Sequence, residues 1–216
     1  MILYCTKLSS YSLKVRLAAA WKGIALELRD PPGGGYRSAE YAAIVPMRTV
    51  PALVDGDFVL SESDAILEYL EDRFPEPSLR PTDLRRRAWM RFLGRFHDLH
   101  LEPPVRALFN ELSPSTRDQR SLGERASQIE AKLAQLEGFL DAGGPFAIGS
   151  APSLADCAYP ATLTILARLA PALGFSAALG PRIVRMRDAV AAEKRFAAVL
   201  APYKRDVDAW IADRTC

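Results

Sequence analysis

The chain of 216 residues predicts two parts, a small α/β unit followed by an all-helical one. Three observations carry this reading. Short apolar runs alternate with helical patterns up to Phe74, as strands and helices do in a βαβ arrangement. Pro75, Pro77 and Pro81 then fall close together, where no helix continues. Beyond them the apolar positions recur at helical spacing. The expected divisions are 1–75 for the α/β unit, 76–83 for a linker and 84–216 for the helical unit.

Taken in order, Ile2 to Cys5 is a short apolar strand. Ser9-Ser10 precede a helix with Val15, Leu17, Ala18 and Trp21 on its apolar side, and Gly23 stops it. Ile24 to Leu28 reads as a second strand. The loop Asp30 to Gly35 is glycine-rich but precedes no Lys-Ser/Thr, which argues against a phosphate cradle. Ser38 to Ala43 fits one or two helical turns. Thr49 to Ser63, TVPALVDGDFVLSES, is the most informative stretch. Pro51 cannot donate a ladder hydrogen bond and belongs at a strand start. Ala52 to Val54 is a strand, Asp55-Gly56-Asp57 a tight turn, and Phe58 to Leu60 the returning strand. Glu62-Ser63 open a helix that runs through Leu70. The order βαβαββα, ending near Phe74, is that of a thioredoxin-like unit.

The second part begins with one long helix, Leu84 to Leu101, broken at Pro103-Pro104. Glu124 to Leu140 carries Ile129, Leu133, Leu136 and Leu140 at helical spacing. Leu154 to Leu169 reads as a buried helix, with Ser153 and Asp156 at capping-box spacing. That pair is structural. Ile183 to Val190 and Phe196 to Leu200 are further helices, followed by a tail through Trp210.

Composition sets limits. Apolar content of 49% and charged content of 25% are those of an ordinary soluble globular chain. A net charge of +2 exerts no strong pull on nucleic acid or anionic membrane. Arg85, Arg86, Arg87, Arg91 and Arg95 form a basic run, but Asp98 and Glu102 continue its face with opposite sign and no aromatics interleave on it. A solvated or dimer-facing helix is expected, not a nucleic-acid face. Cys5, Cys157 and Cys216 are odd in number and lack metal-ligand spacing, which fits a reducing, cytoplasmic setting. No signal peptide or membrane span is expected.

A cis bond before Pro51 would offer the Val50 backbone to an extended peptide as a pairing edge. Glu62 and Ser63 sit at a helix start, where backbone N–H groups gather anions. Together these residues suit a peptide-like ligand that carries a carboxylate.

This stretch resembles the glutathione site of the glutathione S-transferases, which have the expected two-part architecture. In that family a cis-proline strand pairs with the cysteinyl unit of glutathione, and a Glu/Gln-Ser pair holds its γ-glutamyl group. The resemblance thus assigns Val50, Pro51, Glu62 and Ser63 to glutathione as co-substrate. Thr49 and Arg37 stand where the family binds the glycyl carboxylate, and Arg48 is a further candidate. Ser9-Ser10-Tyr11-Ser12-Leu13-Lys14-Val15-Arg16 resembles the Ser-Ser-Cys-x-x-x-Val-Arg motif of the zeta class, which includes maleylacetoacetate isomerases. The first serine is the usual thiol activator there, so Ser9, with Ser10 beside it, is the catalytic candidate. Tyr11 replaces the class cysteine, which argues against redox chemistry at this position.

The resemblance implies a homodimeric enzyme that adds glutathione thiolate to a hydrophobic or acidic electrophile, as in detoxification. Tyr11, His97, Arg106 and Arg168 are the candidate electrophile-pocket residues. Arg168 lies where zeta-class isomerases are thought to bind a substrate carboxylate. Glutathione-dependent cis–trans isomerisation of a maleyl-type diketo acid is the alternative reaction, and a non-catalytic binding module is the alternative class.

Overall fold

A computed structural model describes residues 1–113 and 117–215; Cys216 lies outside the described residues. Four strands, β1 (Ile2–Tyr4), β2 (Glu27–Arg29), β3 (Ala52–Asp55) and β4 (Phe58–Ser61), form one mixed sheet in the order β2-β1-β3-β4. Parallel pairing of β1 with β2 requires a crossover, and helix α1 (Ser10–Lys22) supplies it. Antiparallel pairing sets Leu3 opposite Leu53 and Leu53 opposite Leu60. Leu3 and Leu53 are fully buried in the core beneath helix α3 (Ser63–Arg73). Gly56 takes φ +66° in the turn between β3 and β4, the conformation the Asp-Gly pair foretells.

The second strand differs from expectation. Its ladder starts at Glu27, not Ile24, and all three paired residues are exposed. Ile24 and Leu26 pack against the core before pairing begins, so apolar alternation marked packing and not the ladder. Helix α2 (Ala39–Ile44) follows an N-cap at Ser38, whose Oγ accepts from the Tyr41 N–H at 3.0 Å.

The proline-rich segment after α3 is a packed joint. Leu79 is buried, its N–H donates to Glu71 Oε1 at 3.0 Å, and its carbonyl accepts from the Leu154 N–H at 3.0 Å. Lys22 Nζ is buried beside it and meets Glu71 at 2.6 Å, the Phe74 carbonyl at 2.7 Å and the Pro77 carbonyl at 3.1 Å. The Val50–Pro51 and Glu76–Pro77 bonds are both cis.

The long helix expected to Leu101 is three pieces. Helix α4 (Leu84–Phe96) passes into a π-helical turn at His97–Leu101 and then into α5 (Glu102–Ala107). Pro103 and Pro104 lie in the first turn of α5, where their missing N–H groups have no intrahelical role, so they start a helix as well as end one. Helices α6 (Gln119–Phe139), α7 (Leu154–Ala172), α8 (Pro181–Ala192) and α9 (Lys194–Thr215) complete the chain. The tail expected after Leu200 is instead the continuation of α9. Phe196, Leu200, Tyr203, Val207 and Ile211 keep one face buried straight through Pro202.

Helix α7 is the axle of the helical part. Asp156, fully buried, accepts from the Ser153 N–H at 2.9 Å, the Ser153 hydroxyl at 2.8 Å and the Ala147 N–H at 2.7 Å. These bonds close the capping box that the sequence signals. Leu13, Leu17 and Ala18 of α1 share a single apolar cluster with α7 and α9, so the sheet unit and the helices are joined by core.

Candidate active site

The first turn of α1 faces a cavity of about 530 Å³ between the sheet unit and the helices. Thr6, Leu8, Ser9 and Tyr11 form one wall, and Arg48 to Pro51 with Glu62 and Ser63 form a second. Arg95, Asp98, Leu99 and Arg106 close the third, and Tyr36 stands at the rim. A smaller cavity of about 330 Å³ lies between α3 and α4. Its charged groups are already paired, Arg91 with Glu68 at 2.7 Å and Arg95 with Asp64 at 3.7 Å, so the larger cavity is the candidate site. These pairs also account for much of the basic run as a charge-compensated helix face.

Ser9 is the N-cap of α1. Its Oγ accepts from the Ser12 N–H at 3.1 Å, which leaves the hydroxyl proton free for a cavity ligand. One oxygen therefore caps the helix and points a donor into the site, beside the positive end of the helix dipole. Ser10 is placed otherwise. It is fully buried, does not line the cavity, and donates to Glu102 Oε1 at 2.7 Å. The pairing of both serines as thiol donors is corrected on this point: successive helical residues diverge in direction, and only the first faces the cavity.

Glu62 caps α3 without a side-chain bond and adopts φ +71°, while Ser63, buried, is the first residue of the helix. Arg48 takes φ +53°. These two described non-glycine residues with positive φ both line the cavity, where such strain of about 1–3 kcal/mol tends to be kept for function. The Thr49 carbonyl accepts from the Tyr41 hydroxyl at 2.8 Å, but the buried Thr49 Oγ1 has no partner. Shut off from solvent as it stands, that hydroxyl meets a cavity ligand once the Thr49 side chain turns toward it.

Arg37 does not reach the cavity. It is exposed and lies 5.8 Å from the Tyr36 ring centre, so Arg48 is the cation on that wall. Among the described residues Arg48 is also the lining arginine with no acidic partner.

Two further expectations are corrected. His97 is fully buried, with Nδ1 2.7 Å from Asp98 Oδ1 and Nε2 2.7 Å from Thr162 Oγ1, and it does not line the cavity. Arg168 emerges on the outer face of α7, 42% exposed, and pairs with Asp208 of α9 at 2.8 Å. Its place in the zeta-class pattern led to a pocket assignment, but Ala167 and Arg168 fall on the exposed side of α7 while Leu169 and Ala170 beside them stay in the core.

Tyr11 and Arg106 do reach the site. The Tyr11 hydroxyl donates to Glu102 Oε2 at 2.9 Å, and burial, then the Glu102 charge, pushes its pKa far up, so it stays a neutral phenol. Glu102, with Lys14, is what sequence reasoning missed. Lys14 is buried and bridges Asp98 at 2.8 Å and Asp64. The signal for Glu102 was present: it stands four residues before Arg106, one helical turn.

Cys5 is buried, and burial raises its thiol pKa, which fits a packing residue. Among the described residues no group of three His, Cys, Asp or Glu side chains is gathered for a metal, and no helix is long and apolar enough to cross a membrane.

Comparison with known proteins finds relatives over nearly the whole chain. The family model for the glutathione S-transferase N-terminal domain matches residues 3–78. A maleylacetoacetate isomerase of Pseudomonas aeruginosa is 35% identical over 210 residues, covering 91% of this chain and 93% of that protein. A crystal structure of the Methylobacterium extorquens maleylacetoacetate isomerase, with bound malonate and GSH, superposes with a TM-score of 0.78 at 29% identity, covering 94% of this chain and 97% of that one. The holo structure of a bacterial maleyl pyruvate isomerase, a zeta-class glutathione S-transferase, gives a TM-score of 0.79 at 26% identity over 92% and 96% of the two chains.

Proposed function

The chain belongs to the glutathione S-transferase family, on its zeta-like side, and from that premise we propose that it is a serine-type enzyme joining glutathione to an electrophilic small molecule. Glutathione is its co-substrate. The observation that carries the reading is Ser9: a hydroxyl with a free proton at a helix N-terminus, across one cavity from Val50, Glu62 and Ser63.

In this reading the Val50 backbone pairs with the cysteinyl unit of glutathione, and Glu62 and Ser63 hold the γ-glutamyl group. Arg48 and the orphan hydroxyl of Thr49 receive the glycyl carboxylate. The Ser9 hydroxyl and the α1 dipole then favour thiolate over thiol, because both stabilise negative charge on sulfur. With a chlorinated aromatic substrate, the thiolate forms a carbon–sulfur bond and chloride leaves with the bonding pair. Tyr11, Leu99 and Arg106 border the space for the electrophile. The enzyme is a cytoplasmic homodimer in this proposal, as the family resemblance implies.

Isomerisation of a maleyl-type acid is the second reading, supported by the isomerase relatives. There glutathione adds to the double bond, rotation follows, and the thiolate leaves unchanged.

Turnover of a chlorinated nitrobenzene with glutathione tests the assignment of Ser9. Ser9→Ala is expected to lower turnover by roughly ten- to a thousandfold, the loss of one hydrogen bond to a developing anion. Wild-type turnover in the alanine variant overturns the role of Ser9.

A further inference from the structure

Arg106 borders the electrophile side of the cavity, yet its charge is already spent. Its Nε donates to Glu102 Oε1 at 2.6 Å, and its Nη2 ion-pairs with the same oxygen and donates to Ser10 Oγ at 2.8 Å. The two residues differ sharply in exposure: the Arg106 side chain is 40% exposed and that of Glu102 only 4%. Ser10 Oγ at 2.7 Å and the Tyr11 hydroxyl at 2.9 Å complete the shell around the Glu102 carboxylate. Three donors thus converge on Oε1 and one on Oε2, so both carboxylate oxygens are engaged. The guanidinium is also fixed in place, 5.7 Å from the Tyr11 ring centre and 5.5 Å from that of Phe109.

We infer that Glu102 is a specificity-determining residue, a buried internal counter-ion that cancels Arg106 and turns the electrophile side toward uncharged substrates and away from dicarboxylates. The inference rests on the proposed reading, in which that side of the cavity receives the electrophile. It deepens that reading by naming the substrate class. Arg48, across the cavity and without an acidic partner, remains available for the carboxylate of glutathione. An acidic substrate approaching Arg106 instead meets a neutral pair, with Asp98 lining the same wall. Arg95 on this wall faces Asp64 at 3.7 Å. Arg168, on the outer face of α7, adds nothing here.

Glu102→Gln provides the test, because it removes charge and keeps shape. The amide oxygen continues to accept from Ser10 and Arg106. The amide nitrogen faces the Tyr11 oxygen, whose proton turns to the Asp98 carbonyl at 3.4 Å. The probe is maleate, titrated into glutathione-loaded protein, with its uncharged diamide as control.

Glu102→Gln is expected to bind maleate roughly ten- to a hundredfold more tightly than wild type, the range of one charge-assisted contact. Diamide affinity is expected to move less than twofold. In Arg106→Gln, which changes a partly exposed residue, wild-type maleate affinity is expected to fall no more than threefold, because the cation is already neutralised. The double variant is expected to lose the gain.

Unchanged or weaker maleate binding in Glu102→Gln, with glutathione binding intact, overturns the inference and leaves the proposed function standing. A tenfold or larger loss in Arg106→Gln alone overturns it too, whether or not Glu102→Gln folds. Loss of glutathione binding by the wild-type protein is a different result, and strikes the proposed function itself.

Discussion

Adjacent serines have opposite duties in this chain. Ser9 lends its oxygen to the Ser12 N–H and keeps its proton for the cavity, while Ser10 spends its proton on Glu102. Ser10→Ala removes one bond to a buried carboxylate and one from Arg106. That is expected to cost about 1.5–3 kcal/mol of stability, since charged partners strengthen such bonds. In a chain of this length the melting temperature falls by about 3–12 °C. Glutathione turnover per folded molecule is expected to drop less than tenfold. A thermal melt paired with a rate assay checks this. A rate loss exceeding that of Ser9→Ala, without a lower melting temperature, would reverse the two roles.

At the scale of elements, buried polar links align the site. Lys14 of α1 reaches Asp64 in the first turn of α3 and Asp98 in the π-helical turn, and Asp98 continues through His97 to Thr162 of α7. Burial alone would raise the Asp98 pKa, but the His97 hydrogen bond and the Lys14 charge outweigh it and hold the carboxyl low. The unfolded chain therefore binds more protons in the window below the ordinary carboxylate value, and stability rises with pH through it. The Asp98 contribution is complete above about pH 4 and is lost as pH falls through the folded value.

Asp98→Asn is expected to destabilise by about 3 kcal/mol at pH 7, the lower end for a broken buried pair because Asp64 still faces Lys14. The gap to wild type should narrow steadily below about pH 4. Melting curves across that range check it, and a gap that stays constant with pH would show that the carboxylate charge is not what matters.

The whole molecule was legible in unequal parts. The two-part architecture followed from the proline cluster and the change of apolar period, which are local signals. Ser9, Val50, Pro51, Glu62 and Ser63 meet in one cavity because their spacing along strand, turn and helix start fixes their directions. The electrophile side was read less well. His97 and Arg168 were assigned by position on helices whose rotation depends on packing, and the π-helical turn at His97–Leu101 resets that rotation without any residue that announces it. Glu102 partners residues 92 and 91 positions away, a pairing that only the fold creates.

All of this rests on the cavity being a glutathione site, and calorimetric titration of the purified protein with glutathione tests that most directly. Saturable binding is expected at glutathione concentrations up to millimolar. Ser63→Ala is expected to weaken it by roughly tenfold or more, the loss of a contact to a charged group. No detectable heat of binding at millimolar glutathione, or wild-type affinity in Ser63→Ala, would contradict the account.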